Sequence, residues 1–338
     1  MISDDRTIAI YRSLRELRPV PRVITIGTFD GVHRGHQWLL RSAADRARDA
    51  DIESLAITFE PLPAMVLRPD RFSGRLCTAG EKVRRIAACD VDAVAVLGFS
   101  RDFSEMTAEA FLAEVVAWAK PVEMLVGEAF ALGRDRAGTT AVLARIADHH
   151  GFRFTAMPRL LDGETIISSS AIRQAVIAGD VVKARRLLGR PFRLAGPVIH
   201  GAHLGRTIGF PTANVEPPSP LVAPADGIYA SRSWLPDEVT PRLSMTYVGQ
   251  RPTVNRGARL IETHVLDFGG DLYGRELRVD LIARIREDAH FDSLDELVAQ
   301  LHRDEASTRV LLQGSPAPPA GLDSEPIETD GIPGPEDL

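Results

Sequence analysis

The residues best suited to chemistry fall in a few short stretches. Gly27-Thr-Phe-Asp-Gly-Val-His-Arg-Gly-His36 carries two histidines three residues apart behind a turn rich in glycine. Helical spacing puts His33 and His36 on one side of a helix start. The free N–H groups and the positive dipole end found there favour an anion. Two imidazoles so placed can donate hydrogen bonds where negative charge grows, as on an α-phosphate under attack and on departing pyrophosphate. No protein nucleophile is needed if a substrate phosphate attacks directly. Ile167-Ser-Ser-Ser-Ala-Ile-Arg173 presents Ser168, Ser169 and Ser170 at a second helix start, with Arg173 one turn in. That is a second phosphate cradle. Each stretch alone also suits plain helix capping; the two together point to nucleotidyl transfer.

A second constellation lies further along. Gly201, Gly205 and Gly209 surround Arg206 and Thr207, and a glycine-rich turn can bring backbone N–H groups against phosphates. No Walker A pattern is present. In Pro211-Thr-Ala-Asn214 an extended backbone puts Thr212 and Asn214 on one face, two hard oxygen ligands suited to Mg²⁺ beside phosphates. The same letters fit an ordinary barrel turn. In Leu260-Ile-Glu-Thr-His-Val-Leu266 a strand puts Glu262 and His264 on one face. A carboxylate there can orient a substrate hydroxyl and accept its proton in phosphoryl transfer; a solvated strand face is the plainer alternative.

Elements must position these groups. In the first half, strands are read at Arg22–Gly27, Leu55–Phe59, Ala93–Phe99, Val122–Val126 and Phe152–Met157, and helices at Gly35–Ala50, Thr78–Ala88, Thr107–Ala119 and Thr139–His150. This alternation predicts a doubly wound α/β parallel sheet. Ligands of such sheets bind beyond the carboxyl ends of the strands, which is where the two histidines fall. Two short helices follow, the second stopping at Gly189. Beyond Pro191 shorter runs, at Leu194–Ile199, Gly227–Ser233, Ser244–Val248, Ile261–Asp267 and Glu276–Ile285, predict a small antiparallel β-barrel. A helix at Leu294–Arg303, opened by the capping box Ser293-Leu-Asp-Glu296, ends it. The boundaries are therefore residues 1–189, 190–312 and 313–338. The last segment, with six prolines, four glycines and six acids from Gly314 on, predicts a disordered acidic tail.

Composition narrows the partners. The 338 residues are 44% hydrophobic and 25% charged, enough for two real cores. Net charge is −6 and the arginines are interleaved with acids. No basic block tracks a phosphate backbone, so nucleic acid is not an expected partner. Cys77 and Cys89 have neither disulfide-scaffold nor zinc spacing. No leader pattern and no apolar run of membrane-spanning length is seen, so a soluble cytoplasmic protein without a membrane partner is expected. Oligomeric state is not readable.

GTFDGVHRGHQWLL, TFEPLP, EKVRRIA, VGEAFALGRDRAGT and ISSSAIRQAVIAGD, over residues 20–190, resemble the HxGH nucleotidyltransferases. The similarity is to the adenylyltransferase module of bacterial bifunctional riboflavin kinase/FMN adenylyltransferases. GRTIGFPTAN, Pro224-Ala-Asp-Gly-Ile-Tyr229, Val248-Gly-Gln-Arg-Pro-Thr253, IETHVLDF, Asp271-Leu-Tyr-Gly274 and Ile285-Arg-Glu-Asp with Phe291-Asp-Ser-Leu294 resemble the kinase module, in family order. The resemblance implies that the barrel moves the γ-phosphoryl of MgATP to riboflavin, giving FMN. The sheet module would then join FMN to AMP from a second ATP, giving FAD and pyrophosphate. It implies nucleotide contacts at Gly27, Phe29, Asp30, Gly35, Ser168–Ser170, Gly201, Gly205, Arg206 and Thr207, and catalytic roles for His33, His36 and Arg173. It further implies Mg²⁺ at Thr212 and Asn214, Glu262 as general base, and flavin near Arg286.

Two positions depart from the family pattern. Leu62 stands in Phe59-Glu-Pro-Leu-Pro63 where the family has histidine, and Ala129 in Gly127-Glu-Ala-Phe130 where it has Asn or Asp. Losing one site donor typically costs about 3 kcal/mol of transition-state stabilisation, so a retained but slow adenylyl transfer is expected. The alternatives are a kinase with an inactive first module, a non-catalytic flavin or nucleotide sensor, and an adenylyltransferase for a non-flavin phosphate.

Overall fold

The computed structural model describes residues 8–201, 204–217, 221–250 and 259–313. The acidic tail, Ala202, His203 and the 251–253 end of the Val248–Thr253 motif lie outside the described residues. Contacts divide the chain into two compact units, one of residues 8–72 and 79–167, the other of residues 73–78 and those from 168 on.

In the first unit six strands, β1 (Ala9–Tyr11), β2 (Arg22–Ile26), β3 (Glu53–Glu60), β4 (Ala93–Gly98), β5 (Pro121–Gly127) and β6 (Arg153–Met157), form one sheet. Its order is β1-β4-β3-β2-β5-β6 and every pairing is parallel. The interleaved helices are α1 (Arg34–Asp49), α2 (Ala79–Ala87), α3 (Ala108–Ala119) and α4 (Thr140–His150). Strand residues alternate between two cores. Leu55, Ile57 and Phe59 join Phe111, Leu112 and Leu143, from α3 and α4. Ala56 and Val94 join Leu40, Val83 and Ile86, from α1 and α2. A sheet with helices on both faces buries its strands entirely, as every residue of β2 shows. The chain builds outward from β2 through β3 to β4, then crosses to β5 on the other side of β2. That reversal is the topological switch point, where a crevice opens at the strand carboxyl ends. The edge strand β1 was not expected; three residues are too few for a readable alternation.

In the second unit α5 (Ser169–Ile177) and α6 (Val181–Leu188) precede six strands. The contacts thus group with the barrel two helices that the sequence reading set before Gly189. The strands, β7 (Phe192–Ile199), β8 (Ala213–Val215), β9 (Gly227–Trp234), β10 (Arg242–Gln250), β11 (Arg259–Val265) and β12 (Glu276–Glu287), close a barrel in the order β7-β8-β11-β10-β9-β12. All its pairings are antiparallel. Only the three-residue β8 escaped the sequence reading. Ser231, Ser233, Ser244, Thr246 and Thr263 are buried and satisfy one another at 2.7–3.1 Å. A buried ion pair joins Arg193 of β7 to Asp280 of β12 (Nε–Oδ1 2.7 Å), and Trp234 donates to the same carboxylate at 2.7 Å. The last helix, α7, runs Leu294–Gln313, ten residues past the expected Arg303. Its polar second half is held by Arg309, which pairs with Asp267 and Glu305, and by the buried Leu312.

Candidate active sites

In the first unit the chain leaves β2 at the switch point and turns sharply before α1. Phe29 (φ +47°), Gly31 (φ +78°) and Val32 (φ +39°) all occupy the left-handed region. For a β-branched valine this is genuine strain, of about 1–3 kcal/mol, of the sort concentrated at ligand sites. Gly27 has another reason to be glycine: a Cβ there would lie 2.9 Å from the Phe29 ring. Phe29 is fully buried, its ring edge-on to His36 at 5.3 Å. It therefore shapes the turn from beneath. Asp30 is buried as well.

His33 is the N-cap of α1, and its Nδ1 accepts the His36 N–H at 3.3 Å. An accepting Nδ1 leaves the proton of the neutral ring on Nε2, which is then a donor. The two rings stack at 3.6 Å. Gly35 fits between: a Cβ would come within 3.2 Å of the His33 ring. Burial first, then electrostatic interaction with His33 and with the Lys82 ammonium, pushes the His36 pKa well below 6.5. So His36 is neutral at pH 7, and what such a ring offers a ligand is a hydrogen bond. Its Nδ1 is buried and has no hydrogen-bond partner among the described residues.

Sequence reasoning missed the group behind these rings. Lys82 on α2 is fully buried, its Nζ 2.7 Å from Glu60 Oε1 and 2.8 Å from the Phe59 carbonyl. The signal was present, for lysine occurs only three times in a chain otherwise served by arginine. Of the two departures, Leu62 is buried beside the end of β3 and Ala129 is exposed just past β5.

Ser168, Ser169, Ser170 and Arg173 fall in the second unit. Ser168 caps α5, accepting the Ala171 N–H at 3.2 Å. Arg173 Nε donates to the Gly74 carbonyl at 2.8 Å.

The barrel carries a cavity of about 1100 Å³. Its lining is mixed: Gly205, Arg206, Thr212 and Asn214 contribute polar groups, and Phe210, Ile228, Met245 and the α7 side chains Leu297 and Leu301 contribute apolar surface. Glu262 also lines it, and Asn214 stands opposite Glu262 in the β8–β11 register. The expected glycine-rich stretch comes up against these residues. A Cβ on Gly201 would lie 2.3 Å from Asn214 Nδ2, and one on Gly205 would lie 2.3 Å from the Phe210 carbonyl and 3.4 Å from Thr212 Oγ1. Leu204–Thr207 is one helical turn, with Arg206 and Thr207 exposed. Arg286 borders the cavity, but its guanidinium is committed: Nε and Nη2 grip Asp304 of α7 at 2.8–3.1 Å, and its plane lies over Phe291. It holds α7, which lines the cavity with Leu297 and Leu301.

The donor set suits a hard cation. Thr212 and Asn214, both on the cavity lining, offer neutral oxygens. Few protein ligands beside substrate phosphates is the usual Mg²⁺ arrangement.

Comparison with known proteins resolves the identity of this architecture. The FAD synthetase family model matches residues 16–171 and the riboflavin kinase model residues 188–312. The bifunctional riboflavin kinase/FMN adenylyltransferase of Escherichia coli K12 is 39% identical over 304 residues, covering 89% of this chain and 96% of that protein. The chain belongs to the bifunctional riboflavin kinase/FMN adenylyltransferase family. The Pseudomonas fluorescens member is 38% identical over 307 residues, with 89% and 97% covered. A solved Streptococcus pneumoniae chain described as a macrolide-efflux protein is 32% identical with a TM-score of 0.81, covering 89% of this chain and 98% of that one. Among the described residues no helix is long and apolar enough to cross a membrane. Both enzyme domains of the family are present, so readings with one module or none are not favoured.

Proposed function

We propose that the two reactions of this bifunctional enzyme are carried by two separate sets of residues. In the barrel, Glu262 accepts the proton of the riboflavin 5′-hydroxyl as the γ-phosphoryl of ATP is transferred, giving FMN and ADP. Thr212 and Asn214 would hold Mg²⁺, which when bound neutralises charge on the ATP phosphates. The backbone around Gly201, Gly205, Arg206 and Thr207 covers those phosphates. The apolar side chains of Phe210, Ile228 and Met245 take the tricyclic ring, with Arg286 securing α7 beside them. In the first unit, the Gly27–His36 turn takes the triphosphate of a second ATP. His33 and neutral His36 donate to oxygens that gain charge as an FMN phosphate oxygen attacks the α-phosphorus and pyrophosphate leaves. Ser169 and Ser170 are assigned to nucleotide phosphates, with Ser168 and Arg173 as their cap and brace.

The observation that carries the kinase half is the close approach of Gly201 and Gly205 to Asn214 and Thr212, in the cavity that Glu262 lines. Chromatographic separation of products, with riboflavin and FMN supplied separately, tests both halves. Glu262→Gln should abolish FMN formation and spare FAD formation from FMN; His36→Ala should do the reverse. If each variant lost both activities while still folded, the two-site assignment would be wrong.

A further inference from the structure

The barrel cavity contains a phenol that no step above uses. Tyr247 of β10 stands at the register position opposite Glu262 of β11, and both line the cavity. Cross-strand partners have their Cβ atoms about 5 Å apart. With Asn214 opposite Glu262 in the other direction, the row Asn214–Glu262–Tyr247 spans three adjacent strands. The ring direction is fixed by the strand itself. Tyr247 lies over Gly249, where a Cβ would come within 2.0 Å of the phenol oxygen. The hydroxyl donates to Asp288 Oδ2 at 3.0 Å, and the other oxygen of Asp288 accepts the Ala289 N–H at 2.9 Å. Asp288 thus ties a barrel strand to the start of residues 288–293, which link β12 to α7 and wall the cavity with Phe291. Burial above all, then the Asp288 carboxylate, pushes the Tyr247 pKa up to about 12, so the phenol keeps its proton at working pH.

We propose that Tyr247 is a positioning residue for riboflavin phosphorylation: by holding Asp288 it fixes the 288–293 wall and sets the grip on the tricyclic ring beside Glu262. The proposal rests on the assignment of this cavity to riboflavin. The wall it braces brings Phe291 to the cavity and is a separate stretch from the Gly205–Thr207 turn assigned to the phosphates. Its effect therefore falls on the flavin and not on ATP.

The test is steady-state phosphorylation by the full chain carrying Tyr247→Phe, Asp288→Ala, or both, with riboflavin and ATP varied in turn. Each single variant should raise the riboflavin KM roughly fivefold, the effect of one solvent-accessible hydrogen bond to a charged acceptor. The ATP KM and kcat should stay within about twofold, and the double variant should be no worse than either single, because both remove the same bond. Flavin fluorescence quenching should show the same loss in riboflavin affinity. An unchanged riboflavin KM, a fall in kcat at constant KM, or multiplied effects in the double variant would overturn the proposal. If the phenylalanine variant fails to fold, Asp288→Ala, a change at an exposed side chain, decides alone. Glu262→Gln separates the two levels: if it keeps full kcat, the cavity assignment is wrong. If it is inactive while Tyr247→Phe matches the parent, only the role of Tyr247 is lost.

Discussion

Replacing Lys82 by methionine would keep most of a side chain that is fully buried and delete its charge. The ammonium lies 2.7 Å from Glu60 Oε1, and the two side chains are 0% and 2% exposed. It also donates to the Phe59 carbonyl at 2.8 Å. Methionine refills the stem but takes the ammonium away from the buried Glu60 carboxylate. Removing one partner of such a pair costs about 3–5 kcal/mol, because an uncompensated charge is left behind. That lowers the folded-to-unfolded ratio of the first unit by about 10²–10⁴-fold. The two units need not unfold together, so a single melting curve is the wrong instrument. Amide hydrogen exchange read by mass spectrometry isolates the effect. Protection in β3 and β4 should drop by that factor, and protection in β9 and β12 of the barrel should not move. Lys82→Met with Glu60→Leu should recover most of the loss, since apolar replacement of a buried pair is often neutral or stabilising. A loss under tenfold in Lys82→Met, or a double variant as damaged as the two singles summed, would refute the reasoning.

Further outcomes follow from the same geometry. Gly201→Ala should cut FMN formation at least tenfold and leave FAD formation from FMN intact, because its Cβ would fall 2.3 Å from Asn214 Nδ2; product chromatography reads both. Ala129→Asn should speed FAD formation by up to about 10²-fold, the worth of one restored donor. Its site past β5 is exposed and holds an added amide easily. Leu62→His should bring no such gain and should lower stability, since Leu62 is buried and an imidazole there loses its water. The lowered pKa of His36 gives a pH signature. Between 6.5 and its depressed folded value the unfolded chain binds the extra proton, so stability of the first unit rises with pH across that window. Exchange protection of α1 measured from pH 5 to 8 should show that rise, and His36→Ala should flatten it.

The contrast between what the sequence displayed and what it hid has a physical basis. His33, His36, Thr212, Asn214 and Glu262 were legible because their spacing is local: a helix turn or a strand repeat decides which of them share a face. The sheet and the barrel were legible for the same reason, through runs long enough to show a period. Local spacing says nothing about partners brought in by topology. Lys82 meets Glu60 from a helix 22 residues on, and Tyr247 meets Asp288 across 41 residues. Arg286 lines the cavity, and its grip on Asp304, eighteen residues away on α7, is not readable from local spacing. The same limit applies to the protonation of the histidines. Two imidazoles at a helix start suggest cations, but stacking them at 3.6 Å with a buried ammonium behind makes a second proton costly. Reactive groups can thus be read from short stretches, while their protonation state and rigidity belong to long-range pairs. In this chain those pairs, Lys82–Glu60 behind one site and Tyr247–Asp288 beside the other, are where substitutions far from the reacting atoms should still change the chemistry.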